Sequence, residues 1–420
     1  MFHDDDSKLA ALAKSQQKEK EKENQNQKVN LSEENQDLNV SKLVISAPLI
    51  GDISLSNQIM SFTPLSLSGI IDIFGDSIAQ GAGVAATQRW TKLVCDAYGA
   101  TENNLAIPGD EIIDMTIRIF GSTTAPVGSP AYLGHVNGRT SIIAVGINDI
   151  YLQPETAYDE TKRTLESLAL YCTLPSTQKL DVRNPAVTKS GAWFNTPAFN
   201  IGMYTMGNGA SVTATVTGRY VVFASTILTG GSLSAHSNIS VTLDGVTINS
   251  SLPRFSGKVI NSYNNTNFIN SLWLYDTEST NTTPHTITIA QAPQTGLGIF
   301  FTFVDWIGAF NQNQEQCSPV FICTPDTTDW AMTTQLYGGL FPSAIGSERA
   351  WHTIRQNQQQ VVQKWNLLFG LPVYYVDMSS TNIYGQKIDD IIHPNVNGHK
   401  FLSNRFQSLL NNGTYNTLWV

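Results

Sequence analysis

The chain has 420 residues, 41% of them hydrophobic, enough for two or three separate cores. Only 14% are charged and the net charge is −9, which argues against nucleic acid or an anionic membrane as a partner. No apolar run reaches membrane-spanning length, and Gly, Asn, Ser and Thr stand where charge usually would, in the manner of a β-rich, loop-rich extracellular surface.

Residues 1–45 read as a polar N-terminal segment. The tract Lys14 to Lys28 has no apolar residue, and residues 1–40 carry six Lys against nine Asp or Glu. Such a stretch cannot bury enough surface to fold by itself. It is expected to be either a disordered tail or a tether to a larger assembly. It contains no apolar signal core, so no ordinary secretory route is expected.

From about Leu43 to Ser68 the chain carries loop signals. Ile70 to Phe74 is then a β-branched apolar run, as expected of a strand covered on both faces. Gly75 permits a tight turn, and Ser77 falls where a helix should begin. A hydroxyl there lies beside free backbone N–H groups and the positive end of the helix dipole, a good place for a nucleophilic serine and its oxyanion. The plain alternative is that Ser77 is only a helix N-cap.

Thr87 to Tyr98 reads as a helix, Leu105 to Gly109 as a short strand, and Glu111 to Phe120 as a helix. Thr140 to Gly146 is another buried strand, ending in Gly146-Ile147-Asn148-Asp149, and Thr156 to Tyr171 is a helix. This alternation predicts a parallel sheet with helices on both faces.

Between about Asp181 and Phe310 the hydrophobic period becomes two. Ser211 to Val216 alternates, and Ile239 to Leu243 leads through Asp244-Gly245 into Val246 to Ile248, a hairpin signal. Thr286 to Ile289 and Ile299 to Phe303 are further strands, so an antiparallel sandwich or jelly roll is expected. Trp193, Tyr204, Tyr220, Tyr263, Trp273 and Tyr275 recur here, most of them expected in the core and a minority able to stack on sugar rings. The α/β pattern returns with a strand at Pro319 to Thr324, a helix over 347–369 and a strand at Val373 to Val376. Asp389-Asp390-Ile391-Ile392-His393-Pro394 is then a loop before a closing helix, Val396 to Leu410.

Loops that follow the strands of a parallel sheet gather at its carboxyl edge, where ligands bind. That edge would collect Ser77, Gly109, Asn148, Asp390 and His393. Their chemistry fits acyl transfer, with Ser77 as nucleophile, His393 as base and Asp390 as its orienter. The N–H groups of Ser77 and Gly109 and the amide of Asn148 would hold the oxyanion. Asp389 competes with Asp390 for the orienting role. Asp76 and Asp149 flank the site and are expected to make structural hydrogen bonds. His135, His236, His285 and His352 have no acidic partner at useful spacing and are expected to be surface or satisfied core residues, and His399 is expected to be structural. Cys95, Cys172, Cys317 and Cys323 form no Cys-x-x-Cys pair; free buried thiols are expected, with a Cys317–Cys323 bridge as the alternative. No metal site and no cofactor is expected.

The four blocks, in this order, resemble the SGNH hydrolases, also called the GDSL esterase family. Ser77, Gly109, Asn148 and His393 occupy the four positions that name it. The resemblance covers about 46–182 and 311–420 and favours Asp390 over Asp389. It implies a three-layer, flavodoxin-like α/β hydrolase domain in two parts (46–182 and 311–420), interrupted by an antiparallel, jelly-roll-like β-sandwich insertion (183–310). No Gly-x-Ser-x-Gly elbow is present, unlike an ordinary α/β-hydrolase. An SGNH domain broken by a β-sandwich looks like the deacetylases of bacteriophage tailspikes and some polysaccharide esterases, where the inserted module resembles a carbohydrate-binding domain. The implied function is removal of O-acetyl groups from a bacterial surface polysaccharide. The implied location is a phage tail or another extracellular site, since a virion protein leaves by lysis and needs no signal. Implied partners are the O-acetylated polysaccharide, tail or baseplate proteins through the N-terminal segment, and a homotrimer. The alternatives are a non-catalytic adhesin on the same scaffold and a general bacterial esterase or lipase.

Overall fold

The computed structural model describes residues 65–120, 138–152, 158–195, 203–205, 209–228, 239–249, 268–291, 302–324, 329–337 and 344–415. The N-terminal segment 1–45, most of the approach to the first strand, Tyr263, His135 and His236 lie outside these residues.

Five strands make a parallel sheet: β1 (Ile70–Gly75), β2 (Thr101–Asn104), β3 (Thr140–Ala144), β4 (Val320–Cys323) and β5 (Val373–Val376). They run in the order β5-β4-β3-β1-β2, and every pairing is parallel. The order reverses between β1 and β3, and in open α/β sheets ligands bind beyond the strand ends at such a reversal. Strand β1 shows why its sequence is apolar at every position from Ile70 to Phe74 except Asp72. Ile71 and Ile73 enter one core, with Trp90, Val94, Leu402 and Phe406. Phe74 enters the other, with Ile112, Leu165 and Trp365.

The helices are α1 (Ser77–Gln80), α2 (Trp90–Ala97), α3 (Ile112–Phe120), α4 (Ile147–Leu152), α5 (Tyr158–Thr173), α6 (Trp330–Tyr337), α7 (Ala344–Val362) and α8 (Val396–Asn411). The expected helix over 347–369 is α7 followed by a π-helical turn, Gln363–Leu368, which buries Trp365.

The expected strand Leu105 to Gly109 is displaced. Regular pairing falls on Thr101–Asn104, a wholly polar stretch without a strand's apolar pattern. Its polar groups are met by side chains: Arg89 ion-pairs with Glu102 at 2.6 Å, and Asn103 donates to Asp72 at 2.6 Å. The chain stays extended beyond it, with Leu105 and Ile107 N–H donating to the Ile73 and Gly75 carbonyls, both at 2.9 Å.

Residues 179–310 supply antiparallel sheets. One has four strands, in the order Phe268–Asp276, Tyr220–Leu228, Trp306–Phe310 and Lys179–Asp181. Another has five, in the order Val246–Asn249, Ile239–Leu243, Pro284–Gln291, Ser211–Thr217 and Thr188–Ser190. The two share a buried core in which Val212, Ala214, Val241 and Ile289 of one sheet meet Val221, Phe223 and Ile307 of the other. The Asp244-Gly245 hairpin is present, with both residues at positive φ, 51° and 80°, as a type I′ turn requires. Residues 220–224 of strand Tyr220–Leu228 are buried on both faces: Val221 and Phe223 point into this core, while Tyr220, Val222 and Ala224 join the core of the parallel sheet. Of the recurring aromatics, Tyr220 is buried, and Trp273 and Tyr275 stack on Phe223 with centroids 6.0 and 6.5 Å apart. Trp193 also packs against this core.

Candidate active site

The site begins at the end of β1. A Cβ on Gly75 would lie 2.4 Å from the Ala79 Cβ and 2.7 Å from the Ala144 carbonyl, so only glycine lets β1, β3 and α1 approach this closely. Asp76 is the N-cap of α1, its Oδ1 accepting the Ile78 N–H at 2.9 Å. The N-cap reading of Ser77 is therefore corrected: the cap is Asp76, and Ser77 is the first helical residue, its hydroxyl left for other work.

That hydroxyl meets the loop before α8. His393 Nε2 lies 2.7 Å from Ser77 Oγ, and His393 Nδ1 lies 2.5 Å from Asp390 Oδ2. The other Asp390 oxygen folds the loop by accepting the N–H groups of Ile392 at 3.0 Å and His393 at 2.9 Å. One carboxylate thus shapes the loop and aims the imidazole. With Nδ1–H donating to Asp390, Nε2 is left to accept the Ser77 proton, a tautomer assigned from this network. Burial pushes the Asp390 carboxyl up, but its hydrogen bonds from the His393 ring and backbone, the His393 charge and the Ile392 N–H outweigh it and hold the group below the ordinary carboxylate range. Ile391, inside the loop, sits at φ 55°, a left-handed conformation costly for a β-branched residue. Asp389 is exposed and is not the partner of His393.

Two more turns close on the first. Ile107 is bonded to Gly75, and the chain then turns through Gly109 at φ 84°, with the Asp110 N–H on the Ile107 carbonyl at 3.2 Å. The Asn148 amide donates to the Asp110 carbonyl at 3.1 Å. Asp149 Oδ1 accepts the Ile112 N–H at 3.3 Å. The structure therefore joins Ser77, His393 and Asp390 directly, and it brings Gly109 and Asn148 onto one linked pair of turns beside them. The expected structural bonds of Asp76 and Asp149 are present.

His285 is a satisfied core histidine, as expected, but it has an acidic partner that its spacing did not reveal. Asp244 Oδ2 lies 2.7 Å from its Nδ1 and Ser279 Oγ lies 2.8 Å from its Nε2. The acidic partner sits 41 residues upstream, across paired strands, so spacing along the chain could not reveal it. Ser279 Oγ is also 2.6 Å from Thr277 Oγ1, so this serine is embedded in a tie between loops. His352 lies edge-on to Trp351. Cys95, Cys172, Cys317 and Cys323 are all free thiols. Among the described residues no helix is long and apolar enough to cross a membrane, and no group of three or more His, Cys, Asp or Glu could hold a metal ion.

His399 is fully buried behind the loop, and its Nδ1 accepts the Trp90 N–H at the start of α2, at 3.2 Å. Burial, then the charges of Lys387 and His393, push its pKa down to about 4. An unfolded histidine titrates near ~6.5. Between these values the unfolded chain binds the extra proton, so stability is lost as pH falls from that value towards about 4. His399→Gln is expected to flatten this slope by up to about 1.4 kcal/mol per pH unit, read from urea melts between about pH 4 and 7.

No family model matches this chain, and no curated protein matches it. Solved structures do. A two-domain esterase (CEX) active on acetylated mannans, co-crystallized with mannopentaose, is 11% identical, with 58% of this chain and 91% of that one covered at a TM-score of 0.27. TesA is 11% identical over 80% of this chain and 94% of that one, at a TM-score of 0.34. The CBM36-1 domain of a multidomain xylanase from the hindgut metagenome of Trinervitermes trinervoides is 13% identical over 31% of this chain and 92% of that one, at 0.22. These likenesses are loose, and the functional reading rests on the geometry of the three turns.

Proposed function

We propose that the protein is a serine ester hydrolase of the SGNH type that removes O-acetyl groups from a bacterial surface polysaccharide. The observation that carries the ester-hydrolase part is the unbroken chain Asp390–His393–Ser77, with links of 2.5 and 2.7 Å. It also favours catalysis over a purely adhesive role, because Ser77, unlike the Thr277-bound Ser279, offers its hydroxyl to an oriented imidazole at the start of a helix beyond a parallel strand.

In this mechanism Ser77 Oγ attacks the acetyl carbonyl carbon while His393 Nε2 takes its proton. Asp390 stabilises the imidazolium. The oxyanion accepts from the N–H groups of Ser77 and Gly109 and from the Asn148 amide. One N–H of that amide is held by Asp110, which leaves the other to donate. Each such donor contributes about 3 kcal/mol in a tuned site. The tetrahedral species collapses as His393 protonates the sugar oxygen, which leaves. Water, deprotonated by His393, then attacks the acetyl-Ser77 ester. A second collapse returns the proton to Ser77 and releases acetate.

The polysaccharide part is supported by the low charge and the Asn/Ser/Thr-rich composition, together with the antiparallel sheets placed between the two halves of the parallel one. Those sheets are the proposed sugar-positioning module, residues 183–310, and the polar segment 1–45 is the proposed attachment to a phage tail. The test is acetate release from a panel of O-acetylated bacterial polysaccharides. Release by wild type, absent in Ser77→Ala, is the expected result. Cleavage of p-nitrophenyl acetate through Ser77 with no polysaccharide deacetylated would keep the esterase and remove the polysaccharide.

A further inference from the structure

Asp149 stands next to Asn148 and is not used in the mechanism above. It is completely buried, and its Oδ2 has no hydrogen-bond partner among the described residues. Its Oδ1 holds the Ile112 N–H at the start of α3. The neighbouring Asn148 holds the Asp110 carbonyl two residues earlier. The Gly146–Asp149 turn therefore grips the 109–112 segment at two points, one through a donor and one through an acceptor. These two bonds, of 3.1 and 3.3 Å, link the side chains of this turn to the segment that carries Gly109.

We propose that Asp149 is a positioning residue for the oxyanion-binding edge, holding the Gly109 turn in register with Asn148 through the Ile112 N–H. This rests on the esterase reading above. It explains an otherwise unfavourable arrangement, since a carboxylate oxygen buried without a partner costs free energy that a hydrophobic residue would not. The carboxylate is retained at a point where a strong acceptor fixes a backbone that must present N–H groups to developing charge.

Two acidic groups act on Asp149, Asp114 on α3 and Asp76 at the N-cap of α1, and Asp110 and Glu111 are buried in the intervening turn. Burial, then the charges of Asp114 and Asp76, push its carboxyl up to about 7 against the pull of the Ile112 N–H. The ionised form is the stronger acceptor, so the grip tightens as pH rises through this value. The stability effect has the opposite sign: the fold holds the proton over a range where the unfolded chain has lost it, so stability falls as pH rises towards about 7.

The test uses Asp149→Asn, which keeps a neutral acceptor, and Asp149→Leu, which keeps the branched shape without one. Both are assayed on p-nitrophenyl acetate beside wild type and Ser77→Ala, between about pH 5.5 and 9. Asp149→Leu is expected to lose about 100-fold in kcat with KM within about threefold, the pattern of a lost transition-state interaction. For Asp149→Asn the wild-type to variant kcat ratio is expected near one at low pH, rising to about five- to tenfold at high pH, while its melting temperature above neutrality is at least that of wild type. The inference is overturned if Asp149→Leu matches wild type in kcat. A flat wild-type to Asn ratio across the range also overturns it, and decides alone should the Leu variant not fold. An inactive wild type, or an active Ser77→Ala, overturns the esterase reading and this inference with it.

Discussion

Ser77→Ala is expected to lower kcat/KM for p-nitrophenyl acetate by at least about 10⁴-fold while the protein stays folded. The effect is large because one atom carries two roles, attack on the carbonyl and donation of the proton to His393 Nε2 across 2.7 Å. The fold should tolerate the change. Asp76 caps α1, Gly75 makes the close approach, and the alanine methyl fits where the serine Cβ already sits. The control is Ser279→Ala. Ser279 stands in a second Ser–His–Asp chain of similar distances, with His285 and Asp244. Its hydroxyl is already engaged by Thr277, and no loss of activity is expected from removing it. Activity surviving in Ser77→Ala and lost in Ser279→Ala would move the chemistry to the antiparallel sheets.

The second large effect is expected from Asp390→Asn, a loss of about 10³- to 10⁴-fold in kcat with little change in KM. An asparagine can keep its Oδ1 on the N–H groups of Ile392 and His393, so the loop should hold its shape. Its Nδ2 then points at His393 Nδ1 as a donor. The ring must turn that nitrogen into an acceptor and move its proton to Nε2, where it can no longer receive the Ser77 proton. The loss is therefore one of tautomer rather than of structure. Unfolding of Asp390→Asn in the range where wild type is stable would instead make Asp390 a loop-building residue. The asparagine also removes the charge that stabilises the imidazolium, so activity should not recover as pH is raised.

What the sequence revealed followed from local chemistry. Ile70 to Ser77 carries its strand, its turn and its serine in eight consecutive residues, and Asp390 to His393 carries its pair within one loop. Each can be read without knowing what lies across the fold. The polar strand β2 could not be read this way. Thr101 to Asn104 has no apolar alternation, because Arg89, Asp72 and Ala79 from other elements satisfy its side chains. Residues 220–224, in strand Tyr220–Leu228, lack alternation for the opposite reason, since both of their faces are buried. The acidic partner of His285 and the Trp90 partner of His399 lie 41 and 309 residues away, and the isolation of Asp149 Oδ2 is a property of packing. Asp76 could not have been preferred to Ser77 as the cap from sequence alone, since both are good N-cap residues and only the register of the first turn decides between them.

The most direct measurement of the central claim is covalent trapping with a fluorophosphonate, read by intact mass and peptide mapping. An oriented, activated serine predicts one adduct per chain, on Ser77, absent in Ser77→Ala and formed far more slowly in Asp390→Asn. A folded protein that takes up no adduct, or takes it up on Ser279 or any other serine, would contradict the account.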